Sequence, residues 1–357
     1  MKEFSYRSVM TGIRVTLSSI LLTVAVFSSS SPSNEDAPDT CSVGCTSAAP
    51  SLDGGSHNNS SISALQLASS AVPDRLETFT EQTITDLAEH LPFKNWQDAS
   101  LDYTPLGPGT HSWLITIDDG VKPLGYLIIT SDDLGGYILS EYGIGSELPY
   151  SLAPLKNTLA SAGILNTGQQ KDSTTLDSLP QGSKLEAQYN SITPYWKVTL
   201  KGKAPVYVHA VTNDIVPSAA NKAPFPSRKT NIKSSVLSSL ESLTSSSVIN
   251  TQGEQDPYSN LKWLTNPVLS VKNGNDFIRL LRSDSRKSLI FTTKDQNAAF
   301  GAPFNLTGWQ TWSPKDKLGA KIIYVMIPQR NTDLIRFIPA QNLIGLGKFR
   351  EEANTLK

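Results

Sequence analysis

The chain has 357 residues, of which 38% are hydrophobic and 18% are charged, and its net charge is −1 at pH 7. This length allows one to three domains. The only cysteines, Cys41 and Cys45, lie near the N-terminus, so the sequence excludes a cysteine nucleophile from the rest of the chain.

The N-terminus has the pattern of an export signal. Lys2, Arg7 and Arg14 precede an apolar run from Val15 to Phe27, and a serine-rich stretch follows. A positive start, a short apolar core and small residues at the exit are typical of a secretory signal peptide. The run of about 13 residues is shorter than the ~20 that a membrane-spanning helix needs. Residues 1–30 are therefore predicted to be a signal peptide or, if uncleaved, an N-terminal membrane anchor, which places the protein outside the cell or in the cell envelope.

Residues 31–72 are predicted to be a disordered Ser-rich linker, because Ser, Asn, Gly and Pro predominate and few large apolar residues are present. Export would allow Cys41 and Cys45 to form a local disulfide, and the alternative is two exposed linker thiols. A zinc site is disfavoured because His57 is the only nearby partner and a structural zinc takes four ligands.

Residues 73–217 are predicted to form an α+β domain. Pro73 and Asp74 mark a helix start, and apolar residues recur at helical spacing as far as Leu91. Strand-like runs follow, and Asp118–Gly120 is a strong hairpin signal. The strands are predicted at 101–105, 113–117, 124–130, 137–142, 195–200 and 205–211, and a second helix at 152–162.

Residues 218–260 are predicted to be a second Ser-rich linker. Val236, Leu237, Leu240 and Leu243 have helical spacing, which allows one short helix within it.

Residues 261–357 are predicted to be a basic α+β domain. Its predicted elements are a helix around 277–281, strands at 289–293, 322–327 and 334–338, and a last short helix that starts at Pro339 and is ended by Gly347. The complete prediction is an α+β fold of two small domains, each an antiparallel sheet with packed helices, joined by a Ser-rich linker.

Charge is divided along the chain in the same way. Residues 261–357 hold 15 of the 31 lysines and arginines but only 7 of the 32 acidic residues, a net of +8. The remaining 16 basic and 25 acidic residues give the rest of the chain a net of −9. This division predicts either docking of the two parts on each other or binding of the basic end to an anionic envelope polymer or headgroup surface. The export signal argues against nucleic acid as the partner.

The sequence contains none of the common catalytic or metal-binding motifs. No Gly-x-Ser-x-Gly elbow is present, and His90, His111 and His209 fall in helix, turn and strand patterns that need no catalytic role. A His-Glu-x-x-His motif, a calcium loop and a Gly-rich phosphate loop are all missing. The sequence therefore favours a protein that is not an enzyme and that has no cofactor or metal site.

The alternative is an envelope hydrolase that uses carboxylates of the first domain, such as Asp132 or Glu141. Paired carboxylates act as acid and base in glycoside hydrolysis. Turn chemistry explains Asp118–Asp119 and Asp132–Asp133 without catalysis, because both pairs precede glycine-bearing turns.

A speculative binding site is suggested by two tryptophans next to two lysines. Trp309 and Trp312 lie close in sequence to Lys315 and Lys317, an arrangement that could stack on a sugar or pair with an anionic chain. The alternative is that both indoles are buried aromatics of a sheet.

The stretch Gly125–Gly143, an apolar strand, a Ser/Asp turn and a second strand, resembles a pattern in the propeptides of streptopain-type cysteine proteases. Tyr195–Val198, Tyr207–Ala210 and Asn213–Val216 are similar to PepSY-like modules, although His209 and Asp214 depart from that pattern. The segments around Leu289–Thr293, Gly301–Phe304 and Arg336–Pro339 resemble uncharacterised exported proteins of Gram-positive bacteria.

These resemblances imply an exported, non-catalytic module that binds a partner or assists folding. PepSY-like modules are associated with the propeptides of secreted proteases and are proposed to inhibit or to chaperone, which implies a secreted protease as one partner. The predicted partners are a secreted protein or an anionic envelope polymer, and the membrane through the N-terminus if that segment is uncleaved.

Overall fold

The fold is taken from a computed structural model of the chain, which describes residues 72–107, 111–132, 135–165, 182–216, 243–251, 256–282, 288–293, 303–315 and 321–352. The predicted signal or anchor at 1–30, nearly all of the predicted linker 31–72 and the proposed helix near Val236 lie outside these residues. In the part of the chain that is described, no helix combines the length and the apolar character needed to span a bilayer.

The helices lie close to their predicted positions. Helix α1 follows Pro73, whose carbonyl accepts hydrogen bonds from the Leu76 and Glu77 amides. Asp74 and Glu77 occupy its first turn, where negative charge interacts favourably with the helix dipole. The helices are α1 (Asp74–Ala88), α2 (Leu152–Ser161), α3 (Gly274–Arg282) and α4 (Ala340–Leu343), with 3₁₀ helices at Lys94–Trp96 and Leu261–Thr265.

The structure has more strands than the sequence predicted. Those of the first segment are β1 (Ser100–Leu106), β2 (Ser112–Asp118), β3 (Pro123–Ser131), β4 (Tyr137–Ile144), β5 (Lys184–Gln188), β6 (Tyr195–Thr199), β7 (Val206–His209) and β8 (Ile215–Val216). Those that follow are β9 (Leu243–Ser245), β10 (Ile249–Asn250), β11 (Leu289–Thr293), β12 (Phe304–Leu306), β13 (Gly308–Pro314), β14 (Ile322–Pro328), β15 (Ile335–Pro339) and β16 (Gly347–Glu351).

Three antiparallel sheets are formed within the described residues. The main sheet has nine strands in the order β1-β2-β3-β4-β15-β14-β13-β10, and β9 also pairs with β13. A four-stranded sheet has the order β5-β6-β7-β8, and a three-stranded sheet the order β12-β11-β16. The mixed helix and antiparallel-sheet character is therefore confirmed, with strands predominating.

The main sheet joins the two segments that were predicted to be separate domains. Strand β4 of the first segment pairs with β15 of the second, and Tyr142 lies opposite Phe337. Strands β9 and β10, which lie in the predicted linker 218–260, pair with β13. The described part of that segment is thus partly strand.

The two faces of the main sheet are covered by different elements. Leu76 and Leu87 of α1 pack with Trp96 on one face, in a core that also contains Tyr142 and Phe337. On the other face, one core is formed with α2 and the four-stranded sheet, and a second with α3 and the three-stranded sheet. The join of β4 and β15 therefore lies at the boundary between these two cores.

Candidate functional site

The most polar cluster of the interior is an ion pair at the β4–β15 join. Arg336 Nε donates to Glu141 Oε1 at 2.7 Å and Arg336 Nη2 donates to Glu141 Oε2 at 2.9 Å. The two residues are 195 positions apart in the chain, and they are 2% and 1% exposed. Two parallel bonds between a guanidinium and a carboxylate form the strongest and most directional kind of ion pair in proteins.

A β-bulge in β4 places Glu141 on this face of the sheet. Ile128 pairs with Glu141 but the next residue of β3, Ile129, pairs with Leu139, so Ser140 is the extra residue. Successive side chains of a strand alternate between faces, and one extra residue reverses that alternation. Leu139 and Tyr142 consequently share the α1 face, and the carboxylate of Glu141 points to the opposite face.

A glycine makes room for the third member of the cluster. Gly143 lies opposite both Tyr126 on β3 and Arg336 on β15. A Cβ atom at Gly143 would lie 2.4 Å from Tyr126 Cε1, which is closer than any real contact. The bare backbone therefore lets the Tyr126 ring cross over β4, where its hydroxyl donates to Glu141 Oε1 at 2.5 Å.

The ion pair makes further hydrogen bonds. Tyr189 donates to Glu141 Oε2 at 3.2 Å, and Arg336 Nη2 donates to the Ser191 carbonyl at 2.9 Å. Burial raises the pKa of Tyr126 well above its ordinary value, and the charge of Glu141 adds to the rise while that of Arg336 opposes it. Burial alone would lower the pKa of Arg336, but the charge of Glu141 leads the effects that raise it instead. The guanidinium therefore remains charged.

His209 is a buried neighbour of this cluster, and it ends β7. Its Nδ1 accepts hydrogen bonds from the amides of Val211 at 3.3 Å and Thr212 at 3.0 Å, so the ring holds the turn that follows the strand. Burial, and then the charge of Arg336, lower the pKa of His209 to about 3, against an opposing effect of the Ile192 backbone. The imidazole is therefore neutral at physiological pH.

This arrangement is suited to holding the fold together and not to catalysis. A general acid or nucleophile must reach a substrate, whereas Glu141 is buried and both of its oxygens are already bonded. Asp132, the other carboxylate considered for a hydrolase, accepts a hydrogen bond from the Gly136 amide at 2.6 Å within a turn. Among the residues that the structure describes, no group of three or more His, Cys, Asp and Glu side chains is arranged to hold a metal ion.

The two tryptophans of the speculative binding site are buried. Trp309 and Trp312 are 3% and 0% exposed, and the guanidinium of Arg282 lies 5.6 Å above the Trp309 ring. Both indoles are therefore buried aromatics of the main sheet, which was the alternative interpretation, and neither has a face available for a sugar. Lys315 Nζ lies 4.0 Å from Asp86 Oδ1 of α1. Lys317 lies outside the described residues, as do Cys41 and Cys45 of the possible disulfide.

The strands that carry the propeptide resemblance are interior strands of the main sheet. Strand β3 is paired with β2 and β4, and β4 is paired with β3 and β15. Addition of a partner strand needs an unpaired edge. These two strands therefore cannot bind a partner by extending the sheet.

A row of four exposed apolar residues, close together in sequence, begins just before residue 261 and continues into the basic segment. Tyr258, Leu261, Leu264 and Val268 are 51%, 53%, 55% and 50% exposed, and we call these four residues the 258–268 surface. A 3₁₀ helix has three residues per turn, so Leu261 and Leu264 lie on one side of the helix Leu261–Thr265. Single exposed apolar residues are ordinary, but four within eleven residues of chain make this stretch a candidate binding surface.

Cations flank the 258–268 surface. Lys262 is exposed between the two leucines, and the Arg330 guanidinium lies 5.5 Å from the centre of the Tyr258 ring. Arg350 Nε donates to the Asn266 carbonyl at 3.1 Å, and Lys348 is the exposed residue two positions earlier on β16. Acidic residues are also present: Asp256 Oδ2 lies 3.3 Å from Arg330 Nε, and the carbonyl of Glu351 accepts from the Asn266 side chain at 2.9 Å.

Sequence reasoning identified Glu141 but missed Arg336 and the 258–268 surface. A single charged residue inside an apolar strand, as in Ile335–Arg336–Phe337, is the signal that could have found the ion pair. The three-residue spacing of Tyr258, Leu261 and Leu264 is the signal that could have found the surface.

No family model, curated protein or solved structure shows significant similarity to this chain.

Proposed function

We propose that this chain is an exported, non-catalytic binding protein of the cell envelope, and that it docks on an anionic envelope component through its basic segment, residues 261–357. Export is proposed from the signal-like pattern of residues 1–30. In this proposal, residues 73–217 support the fold and residues 261–357 supply the docking surface, and both contribute strands to the main sheet.

The observation that carries the proposal is the net charge of +8 on residues 261–357, together with the exposure of many of its cations. Lys262, Lys272, Lys321 and Lys348 are all exposed. We call the rest of the chain, residues 1–260 with a net charge of −9, the acidic segment. The alternative in which the two parts of the chain neutralise each other would bury such cations against this segment. Arg336 is paired in that way with Glu141, whereas these four lysines face solvent.

A non-catalytic role is supported by how the candidate catalytic groups are used. Glu141 is bound by Arg336 and two tyrosines, and His209 is buried beside them. A secreted protease remains the alternative partner, and within the described part of residues 73–217 it could add a strand only at the outer strands β1, β5 or β8, because β3 and β4 are paired on both sides.

The location is tested by fractionating cells that express the tagged full chain. We expect the protein in the envelope or the medium. A soluble cytosolic pool of full-length protein would contradict the proposal.

Docking is tested by sedimenting the full chain with purified envelopes at rising salt concentration. Binding through exposed charge should weaken as the Debye length falls from ~10 Å at 0.1 M to ~3 Å at 1 M ionic strength. The double variant Lys262→Gln/Lys348→Gln should bind less than the native chain. The matched control Lys122→Gln/Lys203→Gln, which removes exposed lysines from the acidic segment, should bind as the native chain does. Equal loss in both variants, or no binding at low salt, would refute docking by the basic segment.

A further inference from the structure

The segment that carries the 258–268 surface is held firmly on the body of the protein. Trp263 is 3% exposed, and its Nε1 donates to the Pro257 carbonyl at 2.7 Å. Asp256 shapes the preceding turn by accepting hydrogen bonds from the Tyr258 amide at 2.9 Å and the Ser259 hydroxyl at 2.8 Å. Asn260 caps the 3₁₀ helix by accepting from the Lys262 amide at 3.1 Å.

The exposure of the leucines is a consequence of this anchoring. Trp263 points into the protein. Leu261 and Leu264 are three residues apart, so they share another side of the 3₁₀ helix, and that side faces solvent. The far side of the segment is tied to β16 through the Leu269 amide, which donates to the Phe349 carbonyl at 2.8 Å. The apolar row is therefore a preorganised feature and needs no refolding in order to bind.

The composition of the surface discriminates between the two anionic partners considered for the basic segment. A hydrated wall polymer can pair with Lys262, Lys348 and Arg350 but offers no apolar environment to the leucines. The interface of a bilayer offers both, since anionic headgroups attract cations and the acyl boundary accepts apolar side chains. Tyr258 with Arg330 above its ring matches the amphipathic aromatic and snorkelling cation found at membrane interfaces.

We propose that the 258–268 surface is a membrane-interface site that inserts Leu261, Leu264 and Tyr258 into the headgroup region of an anionic phospholipid bilayer while Lys262, Arg330 and Lys348 bind the headgroups. This inference rests on the proposed function and specifies its anionic component. The site is separate from residues 1–30, so it would hold the basic segment against the bilayer whether or not that N-terminal segment is cleaved.

The test places a fluorescent reporter at the surface in the full chain. The variant Leu264→Trp is mixed with vesicles of phosphatidylcholine containing about one third phosphatidylglycerol, a composition chosen to give an anionic surface. We expect a blue shift of the added emission and quenching by acyl-chain-brominated lipid. The matched control is Val121→Trp, at a turn residue that is 91% exposed in the acidic segment, and it should show neither change.

Two further variants separate the apolar and the charged contributions. In the Leu264→Trp background, Leu261→Ser should raise the lipid concentration at half-maximal shift by roughly ten-fold, because a leucine that is moved only partly out of water contributes less than the full burial value. Lys348→Gln should raise that concentration several-fold in low salt and have little effect in high salt.

Each outcome decides the inference. No blue shift for Leu264→Trp, equal quenching for Val121→Trp, or a shift with purified wall polymer but not with vesicles would overturn it. In the last case the proposed function would survive, because the full chain would still sediment with envelopes. Failure of both the vesicle and the envelope experiments would refute the two proposals together.

Discussion

Removal of Arg336 is expected to be the most destabilising single change at the β4–β15 join. In the variant Arg336→Met, Glu141 stays buried but loses bonds of 2.7 Å and 2.9 Å to the guanidinium, and the Ser191 carbonyl loses a donor at 2.9 Å. Breaking a buried ion pair by deleting one partner typically costs about 3–5 kcal/mol, because the other charge is left uncompensated. Folded domains have only about 5–15 kcal/mol of stability in total.

The assay is equilibrium unfolding in urea, followed by far-ultraviolet circular dichroism, on the native chain and on Arg336→Met. The double variant Glu141→Gln/Arg336→Met should recover part of the loss, since the uncompensated charge is removed while the amide oxygen can still accept from Tyr126. The matched control is Arg279→Met, which breaks a pair with Asp276 in which the arginine side chain is 73% exposed. We expect no measurable change for that control.

Two results would refute this reasoning. A cost below about 1 kcal/mol for Arg336→Met would mean that the ion pair contributes no more than a surface pair. A double variant that is no more stable than Arg336→Met would mean that the loss comes from packing of the arginine stem and not from the charge left on Glu141.

Three further changes test individual contacts. Gly143→Ala should destabilise the fold by about 1–3 kcal/mol, because the new Cβ meets the Tyr126 ring at 2.4 Å; an unchanged thermal midpoint would contradict this. Because burial lowers the pKa of His209 from 6.5 to about 3, the unfolded chain binds a proton that the folded chain does not, so the free energy of unfolding should fall as the pH falls from about 6.5 to 3. In urea unfolding of His209→Asn at several pH values, the free energy of unfolding should depend less steeply on pH in that range, by up to about one proton. An unchanged pH dependence would show that other groups cause it. Tyr142→Phe should lower the free energy of unfolding by about 1–3 kcal/mol, because the buried side-chain oxygen of Gln310 loses the hydroxyl donor that lies 2.6 Å away. A loss below about 1 kcal/mol in urea unfolding would mean that another donor replaces the hydroxyl.

Local sequence patterns were sufficient to predict most of the elements. The apolar spacing after Pro73 predicted α1, and the β-rich runs in the first segment predicted β1 to β4 within a few residues of their bounds. These elements could be predicted because helix and strand periods are properties of neighbouring residues. Strands β5, β8, β9, β10, β12, β13 and β16 were missed. Four of them, β8, β9, β10 and β12, have only two or three residues, which is a weak signal. Strand β13 contains Trp309 and Trp312, which the sequence had suggested as a binding site.

What only the tertiary structure decided is which elements meet. Nothing local in Ile335–Pro339 indicates that β15 pairs with β4, because strand pairing is a contact between residues far apart in the chain. The same holds for Trp309 and Trp312, whose sequence neighbours are lysines but whose spatial neighbours bury them. Sequence by itself determined the charge of the basic segment, the spacing of its apolar residues and the export-like start. Packing determined which charges are buried and which stay exposed, because burial depends on the atoms that the whole fold brings around a side chain.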